Sequence, residues 1–363
     1  EAFEILLCGR ARQAAPASGP FQWQTLHTPF DAQPERPRTS SLRRHLAKLW
    51  FEQIGFVRAG RRWGADLLHV PYWAGPLAAR LPTVVTVHDL IPVLLPAYSG
   101  GVLGKLYTRL VSHTARRATL LLTDSRASRQ DILVHLRLAP DRVEAIPLAA
   151  GENFRPVRDP ALLERARQKY NLPPRYLLYL GGFDARKNVA GILRAYAHLQ
   201  LEGVALAIAG RLPARTSAVL QDPRPLAAEL GLAGRVRFCG WVKEEDKPAL
   251  YSGALAFLFP SHYEGFGLPP LEAMSCGTPV IVSDRSSLPE IVGDAGLYVA
   301  PDDIEGLSQA MLKLATDPGL RQALSQAALA QSARYTWSQT AQATLAAYRR
   351  APKLQSKEQY HDP

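Results

Sequence analysis

Short apolar, β-branched runs recur along the chain, and nearly all of them lack polar alternation. EILL (4–7), ADLLHV (65–70), TVVTVH (83–88), ATLLLTD (118–124) and VEAIP (143–147) form a first series. YLLYLGG (176–182), VALAIAG (204–210), RVRFCG (235–240), ALAFLFP (254–260), PVIVSD (279–284) and GLYVA (296–300) form a second. Strands that are apolar throughout belong to sheets covered on both faces. Between them lie stretches with helical spacing: SLRRHLAKLWFEQIGFVRA (41–59), GKLYTRLVSHTARRA (104–118), SRASRQDILVHL (125–136), VAGILRAYAHLQ (189–200) and IEGLSQAMLKLA (304–315). This alternation predicts βαβ units and parallel sheets. Pro, Gly and Asn cluster in GENFRPVRDP (151–160), where a domain boundary is expected. After residue 315 the pattern is helical to 350, and such a tail can strap two halves together. The expected organisation is an N-terminal domain of residues 1–157 plus 334–350, a second domain of 158–333, and a polar tail, 351–363, without structure.

A length of 363 residues suits two domains. Apolar residues at 47% and charged residues at 21% exclude a disordered or collagen-like chain. No run approaches the ~18 apolar residues of a membrane span. The opening EAFEILLCGRAR has its basic residues after the apolar run, unlike a secretory leader, and residue 1 is Glu. Three scattered cysteines (Cys8, Cys239, Cys276) form neither a disulfide framework nor a zinc site, so a reducing, cytoplasmic setting is expected. Residues 1–170 carry a net +10 and the remainder +1. The basic half would attract an anionic surface, such as the inner face of a membrane, or a phosphorylated partner. The basic residues show no nucleic-acid-binding motif, so nucleic acid is not an expected partner.

The segment PSHYEGFGLPPLEAMSCGTPVIVSD (260–284) carries the most chemistry. It lies at the carboxyl end of a predicted parallel strand, where open α/β sheets bind ligands. Gly265 and Gly267 let the backbone approach a ligand. Pro269 and Pro270 fit the first helical positions, Glu272 is expected in the first turn, and Gly277 fits the helix end. A helix N-terminus favours an anion such as a diphosphate, and Glu264 and Glu272 could accept from pairs of sugar hydroxyls. The plain alternative is a helix N-terminus stabilised by two acidic residues. In YLLYLGGFDARKNVAGILRAY (176–196), Arg186 and Lys187 at a strand-to-helix turn could neutralise a diphosphate leaving group, or could be solvated charges. Neither a Walker loop nor G-x-G-x-x-G is present. His88 ends the apolar run TVVTVH and could face a cleft or sit as a core histidine. There is no Asp-x-Asp pair, no metal-spaced Cys/His cluster and no Gly-x-Ser-x-Gly elbow. No metal or cofactor is therefore expected.

These three segments, in this order, resemble the retaining glycosyltransferases of family 4 over about residues 60–350. The resemblance implies the α/β GT-B fold: two Rossmann-like domains with parallel sheets facing across a cleft. It implies transfer of a hexose, with mannose favoured, from a GDP- or UDP-linked sugar to a glycan or lipid-linked acceptor. By position, Glu264 would bind the donor sugar, with backbone contacts from Gly265, Phe266, Gly267 and Leu268. Glu272 would accept from the ribose, and Arg186 and Lys187 would hold the diphosphate behind Gly182. His88 would lie near the transferred sugar, and Val242 and Glu244 near the base. The last helix would cross back onto the N-terminal domain. Residues 1–20 show no Gly-rich loop of the family's opening βα unit, so that unit is expected to be missing from the presented chain or diverged. The competing readings are a GT-B epimerase or phosphorylase, and a non-catalytic sugar-nucleotide-binding relative.

Overall fold

The computed structural model describes residues 3–10, 19–29 and 41–359. Its strands are β1 (Leu6–Arg10), β2 (Gln22–Leu26), β3 (Leu68–Val70), β4 (Thr83–Thr86), β5 (Leu120–Thr123), β6 (Val143–Ala145), β7 (Tyr176–Leu180), β8 (Ala205–Ala209), β9 (Val236–Gly240), β10 (Ala256–Phe259), β11 (Val280–Ser283) and β12 (Gly296–Val299). The helices are α1 (Ser41–Trp50), α2 (Phe56–Trp63), α3 (Ile91–Leu94), α4 (Gly101–Arg116), α5 (Arg126–Leu136), α6 (Pro160–Lys169), α7 (Val189–Ala197), α8 (Arg224–Glu229), α9 (Lys247–Gly253), α10 (Leu268–Ser275), α11 (Leu288–Val292), α12 (Ile304–Thr316), α13 (Pro318–Ser332) and α14 (Trp337–Gln359). A π-helical turn at Phe51–Gly55 joins α1 to α2. Every apolar run read from the sequence overlaps a strand. The strand that escaped is β2, QWQTL, whose polar positions mark a partly solvated strand.

Three parallel sheets result: β1-β2, β3-β4-β5-β6, and β12-β11-β10-β7-β8-β9. The six-stranded sheet is buried on both faces. Leu177, Ile208, Phe257 and Ile281 are essentially inaccessible, which is why these strands carry no polar alternation. Its order is the doubly wound one, with the connections reversing direction between β7 and β10.

The closing helix α14 crosses back to the first domain. Ala347 and Ala351 pack on Val84, Leu120 and Leu122, the outer face of β4 and β5. Three polar contacts fix its register. Thr340 Oγ1 donates to the Pro147 carbonyl at 2.7 Å, Tyr348 Oη meets His69 Nδ1 at 2.6 Å, and Arg350 pairs with Glu144 at 2.7 Å. The expected unstructured tail from 351 is corrected in part: α14 runs on to Gln359, because Ala351 is fully buried and Leu354 packs beside it. The residues after β1 (11–18) and the last four (360–363) lie outside the described residues, and with them much of the reading of the opening loop.

Candidate functional site

The reversal between β7 and β10 defines a crevice at the carboxyl ends of these strands, the position at which open α/β sheets hold ligands. One loop rises from each strand. The β7 loop carries Gly182, Asp184, Arg186 and Lys187 and turns into α7 at Asn188. Asn188 caps α7 through its side chain (Gly191 N–H, 3.1 Å) and donates to the Pro260 and Pro301 carbonyls at 3.2 and 2.6 Å. One residue thus ties the basic loop to the β10 loop.

The β10 loop brings Glu264 against the basic pair. Its two carboxylate oxygens lie 2.9 Å from Arg186 Nη1 and 2.7 Å from Lys187 Nζ. Arg186 also pairs with Asp184 at 2.9 Å and donates to the Tyr263 carbonyl at 2.9 Å, and Lys187 lies over the Phe259 ring. All are largely buried: the Glu264 side chain is 9% exposed and that of Lys187 11%. Burial pulls the Lys187 ammonium below its ordinary pKa, although Glu264 opposes it. Burial also acts against Arg186, but Glu264 and Asp184 together hold its pKa above the ordinary value. Buried charges of this kind persist where they are paired and hydrogen-bonded.

Two serines clamp the loop. Ser286, at a left-handed φ of 51°, accepts the Glu264 N–H at 2.8 Å, and Ser287 donates to the Glu264 and Phe266 carbonyls at 2.9 and 2.6 Å. Gly267, with φ of 114°, then starts α10 without a side-chain cap. Such a terminus presents uncapped N–H groups and a positive dipole end.

Glu272 stands apart from this cluster. It lies in the second turn of α10, not the first, because the helix starts at Leu268. That puts it about 6 Å along the helix axis from its start. Tyr251 Oη donates to it at 3.0 Å, and burial pushes its pKa up to about 6, with Lys247 opposing. Lys247 in turn pairs with the largely exposed Glu244. The side chain of Val242 is 3% exposed and belongs to the domain core, which leaves its backbone as the part that can face a ligand. The Phe266 ring is likewise buried, edge-on to Tyr335 at 6.1 Å, between the domains. Gly277, at φ 75°, closes α10 as read from the sequence.

The first domain faces this wall directly. A Cβ on Gly265 would lie 2.8 Å from the His88 carbonyl and 2.9 Å from Asp89 Cβ, so only glycine permits the approach. Ser125 and Ser128, at the start of α5, donate to the Gly265 carbonyl at 2.6 and 3.0 Å. Tyr98 Oη accepts the Arg186 N–H at 2.9 Å and reaches Asp184 at 3.3 Å, and Tyr263 donates to Asp131 at 2.6 Å. His88 stands at this junction with its ring half exposed. The structure therefore joins Arg186, Lys187 and Glu264 in one cluster and sets Glu272 and Glu244 in a second. His88 faces them from the other domain. Sequence reasoning missed Tyr98, Asp124, Asp131, Asp184 and the serine clamps. Only Asp184, inside the motif GGFDARK, carried a local signal.

Two glycosyltransferase models between them match most of the chain: "Glycosyltransferase Family 4" at residues 24–149 and "Glycosyl transferases group 1" at 163–331. Sucrose-phosphate synthase from Thermosynechococcus elongatus superposes with a TM-score of 0.70 at 24% identity, covering 91% of this chain and 89% of that one. The architecture is the GT-B fold, as the sequence predicted. Among curated relatives, O-antigen chain mannosyltransferase B from Escherichia coli is 37% identical over 242 residues, 66% of this chain and 62% of that protein. The serotype-specific mannosyltransferase WbdA from Escherichia coli is 33% identical over 242 residues, 65% of this chain and 29% of that protein. The alignments thus span less than two thirds of these relatives' lengths. The chain belongs to the family 4 glycosyltransferases.

Proposed function

We propose that the chain is a retaining hexosyltransferase, with mannose as the favoured sugar and a nucleotide-diphosphate sugar, GDP- or UDP-linked, as donor. The acceptor is a glycan or a lipid-linked glycan. The observation that carries the reading is the Glu264–Arg186–Lys187 cluster beside the uncapped start of α10. The named activities of the relatives favour mannose.

The chemistry follows from charge. A departing nucleoside diphosphate gains negative charge, which Arg186, Lys187 and the α10 terminus meet without reorganising. Glu264 holds both cations in position before the donor arrives and offers its carboxylate to sugar hydroxyls once they turn to phosphate. Glu272, farther along α10, accepts from the ribose, with Glu244 and the Val242 backbone flanking the base. Retention follows if the acceptor attacks from the face that the diphosphate leaves, its proton passing to a phosphate oxygen. No bound metal enters this scheme.

A donor at 100 times its dissociation constant should stabilise the chain by about 2.7 kcal/mol. Glu272→Ala is expected to remove the thermal shift given by GDP-mannose or UDP-hexose; a wild-type shift would contradict the ribose assignment. The ribose acceptor is the ionised form of Glu272, whose pKa is about 6. Donor affinity in the wild type should therefore rise as pH increases through about 6. Titration calorimetry across that window checks it.

No helix among the described residues is long and apolar enough to cross a membrane. We read the chain as cytoplasmic and peripheral on the inner membrane face. Support comes from the first turns of α4, next to the cleft, where Val102 is 76%, Leu103 80% and Leu106 53% exposed. Lys105 and Arg109 follow on the exposed surface of the same helix. Apolar residues beside basic ones suit an anionic bilayer surface. Flotation with anionic vesicles should capture the wild type and lose the Val102→Glu/Leu103→Glu variant. Equal capture by neutral vesicles would remove the electrostatic part of the reading.

A further inference from the structure

The basic loop is a single 3-10 turn, Ala185–Lys187. The first N–H groups of such a turn have no partner within it. Each N–H here can be followed to its acceptor. Ala185 donates to the Val219 carbonyl at 2.8 Å and Lys187 to the Asp184 carbonyl at 2.9 Å, both inside the second domain. The Arg186 N–H goes to Tyr98 Oη at 2.9 Å, and Tyr98 belongs to the first domain. The phenol proton in turn reaches Asp184 Oδ1 at 3.3 Å, the same oxygen that accepts from Arg186 Nε at 2.9 Å. One hydroxyl therefore holds Arg186 at both ends, the backbone directly and the guanidinium through Asp184. The other cross-domain bonds described above, from Ser125 and Ser128 to the Gly265 carbonyl and from Tyr263 to Asp131, end on the β10 loop instead.

The phenol is mounted firmly on its own side. Tyr98 lies in a short 3-10 turn, Pro96–Ser99, closed by Ser99 Oγ donating to the Pro96 carbonyl at 2.7 Å. Gly104 of α4 packs so closely under the Ser99 carbonyl that a Cβ has no room there. The turn is thus fixed to α4 and travels with the first domain. Burial pushes the Tyr98 hydroxyl above its ordinary pKa, so the proton offered to Asp184 stays in place at neutral pH.

We propose that Tyr98 is the positioning residue through which the basic loop senses closure of the two domains, so that Arg186 is aimed for transfer only while the first domain lies against the second. This deepens the sugar-transfer reading and rests on it for the identity of the group that Arg186 meets. With the domains apart, the Arg186 N–H loses its acceptor and Asp184 keeps the guanidinium as its partner without the phenol. The second domain then still holds a donor, but the cation that meets the departing charge is no longer fixed. Closure that completes a catalytic arrangement protects an activated sugar from premature loss to water.

The test is Tyr98→Phe, which keeps the ring and removes the hydroxyl. Its kcat for turnover of GDP-mannose or a UDP-hexose should fall about tenfold, the worth of one to two hydrogen bonds, while the thermal shift given by the donor stays at the wild-type value. A readout independent of turnover is amide hydrogen exchange of the full chain without nucleotide, resolved at Arg186 by NMR. The wild-type Arg186 amide should exchange at least about tenfold more slowly than that of Tyr98→Phe, as expected for a bonded N–H against a freed one. An unprotected Arg186 amide in the wild type overturns the proposal even if Tyr98→Phe does not fold. So does equal exchange in the two chains, a wild-type kcat in Tyr98→Phe, or a loss of donor shift that matches the loss of kcat. If no nucleotide sugar is turned over by the wild type, the transferase reading fails, while the exchange result still shows whether the phenol holds the loop.

Discussion

Glu264→Gln is expected to lower kcat for sugar transfer by about 10²–10³-fold, the range for losing a preorganised electrostatic group. Glutamine keeps the size of the side chain and one acceptor oxygen but not the charge. Arg186 and Lys187 then share Asp184 as their nearest remaining counter-charge, and Lys187, already below its ordinary pKa, is drawn toward its neutral form. A neutral Lys187 no longer meets the charge of the departing diphosphate. Stability should fall as well, because an uncompensated buried charge costs about 3–5 kcal/mol. Single-turnover rates with saturating donor, read beside the unfolding midpoint, separate the two effects. Wild-type kcat in Glu264→Gln would remove the cluster from the chemistry and return it to the structural role of a paired helix entry.

Gly265→Ala is the second large effect. The new Cβ would meet the His88 carbonyl at 2.8 Å and Asp89 Cβ at 2.9 Å. Neither contact is the far end of a flexible side chain, so the two domain walls must separate. The seryl donors of Ser125 and Ser128 would then lose the Gly265 carbonyl, and Tyr98 its hold on the Arg186 loop. A misplacement of about 1 Å between reacting groups costs about 10²-fold in rate. Donor binding should survive, because Arg186, Lys187 and Glu272 all belong to the second domain. The expected signature is therefore a collapse of kcat with a preserved thermal shift from the donor; an equal loss of both would contradict it.

The fold was legible wherever burial is two-sided. Strands such as YLLYL and ALAIA have no polar residues because both sheet faces are covered, and their spacing with helical stretches gives parallel βα order. β2 was hidden because its glutamines face solvent and its pairing with β1 has no local signal. The helical end at 351–359 was hidden because its polar sequence gave no hint of the sheet that buries Ala351. Within the site, Arg186, Lys187 and Glu264 were readable as loop residues at strand ends. Their mutual contact was not, since Lys187 and Glu264 are 77 residues apart. The same holds for Tyr98 with Asp184, 86 residues apart, and Tyr263 with Asp131, 132 apart. The first pair is set by two loops meeting within the second domain and the other two by the closing of one domain on the other, neither of which a short window of sequence records. Val242, read from the sequence as lying near the base, has its side chain in the domain core, so it is the backbone at this position that is open to such a role.

The polypeptide passes between its two halves twice, once near Leu148 and Ala150 and once near Tyr335, and both passages meet at Phe266, Leu271 and Ile291. Two tethers side by side act like the pins of a door, leaving swing about one line as the easy motion. On the proposed function, substrates would then enter and leave along the free edge opposite those pins. A protease nick in either passage would leave the halves joined by the other.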